Sequence, residues 1–85
     1  MKEQTFHGLL FRKVDHVHNQ NRYYLLLWQQ NLFGEWELLR IWGRAGTNRQ
    51  RMKGMPYPDI AAAWPEIRRV VRRRLQHGYR VLPLR

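Results

Sequence analysis

A small α+β fold, with about four to five antiparallel β-strands and one principal C-terminal α-helix packed against them, is predicted by three features of the 85-residue sequence. Apolar residues fall in short runs over the first two thirds, often alternating with a period of two. Turn formers separate those runs. From Glu66 onward the apolar positions switch to helical spacing. The chain is 44% apolar and 13% aromatic, with four Trp, which is too hydrophobic for a disordered tail. Its length suits one domain over residues 1–85 with a single core.

Thr5 to Val14 is mostly apolar with basic ends and reads as the first strand, followed by a polar loop from Asp15 to Asn21. Arg22 to Gln30 is apolar on both alternating sets, Tyr23/Leu25/Leu27 and Tyr24/Leu26/Trp28, the pattern of a central strand covered on both faces. Asn31 to Gly34 supplies a turn, and Glu35 to Arg44 returns as a third strand to complete a hairpin. After a second turn, Ala45 to Asn48, the segment Arg49 to Lys53 alternates between basic and less polar residues like a half-exposed strand. Gly54, Pro56 and Pro58 then break the sheet, and Asp59 is placed to cap a helix. Ile67, Val70, Val71 and Leu75 form the apolar stripe of that helix and fill the core, and Gly78 ends it. Pro65 either kinks a helix begun near Asp59 or takes the first position of a separate one. The tail, Tyr79 to Arg85, either pairs as a short edge segment or stays loose.

Sixteen Lys and Arg against six Asp and Glu give a formal net charge of +10, a field that attracts polyanions and opposes compaction. Thirteen of the cations are Arg, whose guanidinium forks match phosphate oxygens and stack on flat rings. No Cys is present, which excludes disulfides, thiolate zinc sites and thiol nucleophiles. The residues Met1-Lys2-Glu3-Gln4 begin no signal sequence, and no stretch approaches the roughly 20 apolar residues that span a bilayer. A cytoplasmic protein is expected.

The position of the second turn has a specific consequence. If it is Ala45 to Asn48, Arg44 faces Arg49, Trp42 faces Arg51 and Arg40 faces Lys53 across an antiparallel pair. All six then point to one face and set five cations around one indole. Opposed like charges destabilise a hairpin, whereas a bound polyanion reverses the sign of that interaction. Arg forks pair with phosphate, the indole offers a flat surface to a sugar or unstacked base, and Gly43 permits close backbone approach. The plainer alternative is that Trp42 belongs to the core and the Arg row is a solvated edge. Trp36 and Leu38 share the parity of Trp42, so part of this face needs cover, which the helix can give.

Trp42-Gly43-Arg44, followed by Gly46-Thr47, resembles the signature of the WGR domain family, named for that tripeptide. The resemblance starts at Asn21-Arg22-Tyr23-Tyr24, runs through Gly34-Glu35-Trp36 and closes at His77-Gly78-Tyr79, so it covers roughly three quarters of the chain. It implies a small antiparallel sheet with one principal helix, a DNA-binding module in which Trp42 and Arg44 contact DNA near a strand end. In the nuclear poly(ADP-ribose) polymerases the Arg also relays binding to the catalytic domain, a role with no counterpart in a chain without a transferase domain. One departure is Arg49, where the family commonly has Gly, and it bears on the geometry of the turn.

Arg68, Arg69, Arg72, Arg73 and Arg74 make the helix a second candidate surface, for a phosphate backbone or an anionic membrane. A solvated face is the plain alternative, and a membrane would compete with the core for the apolar stripe. His16 and His18 flank Val17 beside Asp15, but His7 and His77 are remote and no thiolate completes a metal site. The six carboxylates are scattered and no nucleophile has a base beside it, so no enzyme activity, cofactor or small-molecule substrate is expected. The expected partner is DNA. RNA remains an alternative because charge and stacking do not discriminate sugars, and an acidic protein docking on Arg44 and the helix is another.

Overall fold

Pairing follows the hairpins that the turn formers predict. The computed structural model describes residues 6–83, as five strands and one helix in the order β1 (Gly8–Asp15), β2 (Gln20–Gln30), β3 (Trp36–Arg44), β4 (Gln50–Pro56), α1 (Ile60–Gln76) and β5 (Arg80–Pro83). Met1 to Thr5, including the head of the first predicted strand, and Leu84 and Arg85 of the tail lie outside the described residues. The sheet is antiparallel with strand order β4-β3-β2-β1-β5, so β2 is the central strand and the tail pairs with β1.

One face of the sheet carries the core. Leu9, Phe11, Tyr24, Leu26 and Leu38 meet Ala63, Ile67 and Val70 of α1, with Phe6 sealing one end. Phe11, Leu26, Leu38 and Ile67 are fully buried. Leu75, expected in this stripe, is exposed, and the buried stripe instead extends toward the helix start to Ala63, one turn before Ile67. Tyr24 and Arg74 explain the exchange: the guanidinium lies 4.7 Å from the Tyr24 ring, so a cation covers the last turn of the core where an aliphatic side chain was expected.

β2 is apolar on both faces, yet α1 covers only one. Leu25 and Leu27 point to the other face, where they are half-buried beside their neighbours Leu10, Leu39 and Ile41. β4 also departs from expectation. It continues through Gly54 to Pro56, and all its residues are exposed, because it is an edge strand beyond the reach of the helix. An edge strand tolerates a terminal proline, which has no N–H to donate. Gly54 lies against Glu37, whose Oε2 would stand 2.9 Å from a Cβ there.

The helix is continuous through Pro65, which is its sixth residue and faces solvent. The kink-or-start alternative is thus resolved as a helix that starts at Asp59. The Asp59 carboxylate accepts a hydrogen bond from the Ala62 N–H at 2.8 Å, and Pro65 removes one intrahelical donor at an exposed site. Gly78, at φ +87°, turns the chain out of the helix and into β5. Asp59→Ala removes the only side-chain cap of this helix and is expected to cost about 1 kcal/mol, read as a lower melting temperature with unchanged far-ultraviolet circular dichroism.

Candidate nucleic-acid interface

The register around the Trp-Gly-Arg hairpin is the predicted one: Arg40 pairs with Lys53 and Trp42 with Arg51. The ladder ends one step later, at Gly43 and Gln50, so Arg44 and Arg49 flank the turn without pairing in the sheet. The close backbone approach expected at Gly43 is made within the chain itself. A Cβ there would lie 2.6 Å from the Arg49 carbonyl oxygen, so glycine is what lets the end of β3 pass the start of β4. The turn is tied by Thr47, whose hydroxyl donates to the Arg44 carbonyl at 2.9 Å and accepts from the Arg49 N–H at 3.3 Å.

Trp42 joins the core to the surface. Its ring stacks on Tyr24, with centroids 5.8 Å apart and planes 18° from parallel. Its remaining surface lines a cleft of about 520 Å³ together with Arg22, Arg44, Arg51, Arg74 and Tyr79. Arg44 is held in place by Asn19 in the β1–β2 loop: one guanidinium nitrogen donates to the Asn19 carbonyl at 2.8 Å and the other to its side-chain oxygen at 3.1 Å. Asn19 adopts φ +50°, a conformation Asn tolerates better than most residues. Both Asn19 acceptors are uncharged.

Arg40 plays a different part from the one predicted. It is largely buried and donates to Glu66 of α1, which also accepts from Arg69 through Nε at 2.8 Å. Hydrogen bonding from Arg69 and the nearby charge of Arg40 hold the Glu66 carboxyl below its ordinary range. Arg40 and Arg69 thus share one carboxylate, and Arg40 fastens the helix to β3.

The helical cations divide into two sets. At 100° per residue, Arg69 and Arg73 lie on the Glu66 side, where with Arg74, Arg40 and Tyr24 they line the wall facing β3. Arg68 and Arg72 point the other way and do not join the cleft. Arg49 and Arg51 extend the site around the hairpin tip, where they line a second hollow with Trp42 and Arg44. Lys53 is exposed on the edge strand opposite Arg40.

Arg22 and Tyr79 complete the cleft without having been singled out as site residues, Asn19 supports it through Arg44, and Arg74 enters it from the second candidate surface on the helix. Arg22 faces Arg44 directly across β2 and β3, and this position follows from extending the hairpin register by one strand. Arg74 lies over both Tyr24 and Tyr79, at 4.7 Å and 5.3 Å. Nothing in the local pattern separates it from its Arg neighbours. Away from the cleft, Asp15 accepts from the His18 ring at 2.7 Å, and this hydrogen bond lowers its pKa. Among the described residues no three His, Asp or Glu side chains gather as a metal site.

A WGR domain family model matches residues 7–83. The chain belongs to the WGR domain family. WGR domains are nucleic-acid-binding modules rather than catalytic ones, and the tripeptide of the name is the Trp42-Gly43-Arg44 segment that ends β3. Searches of curated proteins and of solved structures gave no match. No helix among the described residues is long and apolar enough to cross a membrane.

Glu66 makes the basic wall sensitive to acid. Its pKa is lower in the folded than in the unfolded chain, so its contribution to stability is present above the ordinary value of 4.5 and is lost as pH falls through the folded value. Glu66→Gln is expected to lower stability at neutral pH and to flatten the decline below pH 4.5, as read from urea midpoints across an acid series.

Proposed function

We propose that this WGR domain binds DNA without catalysis, at duplex backbone and strand ends, through the cleft formed by Trp42, Arg44, Arg51, Arg22 and Arg74, with Arg73 on the adjoining wall. The observation that carries the reading is the setting of Trp42. One part of the ring is anchored on Tyr24, and the rest opens into a cleft walled by guanidinium groups. Such a surface offers stacking to a terminal sugar or base and charge to the phosphates on either side. The cations that meet there repel one another in the free protein, and phosphates convert that cost into binding.

Arg68 and Arg72 point away from this cleft and serve, in this reading, as outlying charge for a longer backbone. Arg49 and Lys53 flank the hairpin and take the next phosphates. No helix face offers the Asn, Gln and Arg mixture that reads base edges, so binding is independent of sequence. The absence of paired carboxylates or an activated nucleophile in the cleft favours a binding module over an enzyme.

Two measurements test the proposal. With about five cations neutralising phosphates, log affinity is expected to fall against log salt with a slope of roughly −4 to −5, and a slope near −1 would count against the cleft. Trp42→Ala is expected to weaken binding to open duplex ends more than to closed duplex, with the fold intact. Titrating labelled open duplex, closed duplex, single-stranded DNA and RNA duplex side by side separates the alternatives. Preference for RNA duplex would reassign the substrate. No binding above a salt-erased background would favour an acidic protein as the partner.

A further inference from the structure

Trp42 has cations on both of its flanks in the sheet. On the β4 side its direct partner is Arg51. On the β2 side, one row nearer the end of the sheet, Arg44 pairs with Arg22 of β2, and Arg22 has Lys13 of β1 just across from it. All three share the strand parity of Trp42. Lys13, Arg22 and Arg44 therefore stand in a row across three adjacent strands, in steps of about 5 Å, on the face that carries the helix. The row leads from the indole toward Tyr79. The Lys13 ammonium lies 5.9 Å from the Tyr79 ring, and Tyr79 lines the same cleft as Trp42, Arg22 and Arg44.

Packing does not explain this row. Like charges directly opposed across an antiparallel pair are destabilising, and here two such pairs lie side by side. Among the described residues no carboxylate bridges any of the three cations. Glu66 is taken by Arg40 and Arg69. Asp15, two residues beyond Lys13, gives its oxygens to the N–H groups of Val17 and His18 and to the His18 ring. Arg44 is held by the uncharged acceptors of Asn19. Lys13 also stands beside Gly78 at the end of α1, where the helix dipole favours a cation. That contact accounts for one member of the row and not for three abreast.

We infer that Lys13, Arg22 and Arg44 form a track for one unpaired strand, so that the preferred ligand is a duplex end carrying a single-stranded extension. The inference rests on the reading of the cleft as a DNA site. A blunt end that stops against the indole sets phosphates over Arg51, Arg49 and Lys53 and leaves the track beyond the ring empty. The second strand of a blunt end is no substitute. The track starts at Arg44, beside the indole, and runs without a gap, whereas the base pair holds the two strands of a duplex apart. A strand that continues past Trp42 brings successive phosphates over the row, and Tyr79 at its far end offers a second aromatic surface to an unpaired base. Arg74, over both Tyr24 and Tyr79, stands on the helix side of the passage and adds a further cation.

Anisotropy titrations of the full chain with hairpin-capped DNA duplexes, each with a single open end, read this directly. The same duplex is offered blunt, blunt but longer by a few base pairs, and with a single-stranded extension of that many nucleotides at its 5′ or its 3′ end. At least one extended end is expected to bind roughly fivefold more tightly than either blunt duplex, with a log–log salt slope steeper by about 1.4, the share of two single-strand phosphates. Lys13→Gln is expected to remove most of that gain with circular dichroism unchanged, and Lys13→Arg to retain it. Arg22→Gln, in the middle of the row, is expected to cost extended ends more than blunt ones, so the test does not hang on one variant folding. A purely structural role for Lys13 would lower affinity for blunt and extended ends alike. That equal loss, equal wild-type affinity for blunt and extended ends, or a gain that survives in Lys13→Gln would each overturn the track while leaving the DNA reading in place. Failure to bind any of the duplexes would remove that reading and the track with it.

Discussion

Glu66 is the carboxylate on which the basic end is assembled. α1 must bring several guanidinium groups close to a sheet that already carries Arg22, Arg44 and Arg51, and without an anion between them the two layers would repel. Placed between Arg40 of β3 and Arg69 of its own helix, Glu66 turns a repulsive contact into a bridge. Half of that bridge is sheltered from water at Arg40, where pairing matters most, and half is exposed at Arg69, where solvent screens it. The bridge fixes which helical cations face the cleft. With Glu66 against β3, helical geometry brings Arg73 to the same side and leaves Arg68 and Arg72 turned outward.

A second constraint governs the whole molecule. Every described Lys and Arg on a strand or in the helix lies at or beyond the midpoint of its element toward the Trp-Gly-Arg end. Because successive strands run in opposite directions, this requires cations late in β1, early in β2, late in β3 and early in β4. In α1 they come last, where the helix dipole favours positive charge. A solvated surface has no need of such segregation. It concentrates positive field at the cleft.

The parts of this arrangement that depend on short range were legible in the sequence. Alternation and turn formers predict the strands, and a four-residue turn was enough to place Trp42 opposite Arg51 and Arg40 opposite Lys53. The Asp59 cap and the Gly78 stop were equally local. What was not legible depends on a third element. Arg40 has the strand parity of Trp42, and only the docked helix reveals that Glu66 claims it. Gly43 looks like room for a ligand until the Arg49 carbonyl is seen to occupy it. The two apolar faces of β2 signal cover on both sides, but one helix in a chain of this size covers one. Arg74 differs from its Arg neighbours only through the two tyrosines beneath it, which come from β2 and from the residue before β5.

Tyr24 connects these observations. On one side it packs edge-on against Phe11 in the core, on another it stacks with Trp42, and Arg74 lies over its ring. The fully buried Phe11 and the half-exposed Trp42 are therefore one ring apart, so the indole that meets the cleft is positioned by core packing rather than by the loop it precedes. Arg44, by contrast, is positioned by a loop, through Asn19. The two residues of the family signature thus have unequal supports. A rigid aromatic anchor sits beside a guanidinium whose hydrogen bonds go to uncharged acceptors and can be exchanged for an ion pair with a phosphate. In the proposed binding role, Trp42 then sets where DNA sits, and Arg44 adjusts to it.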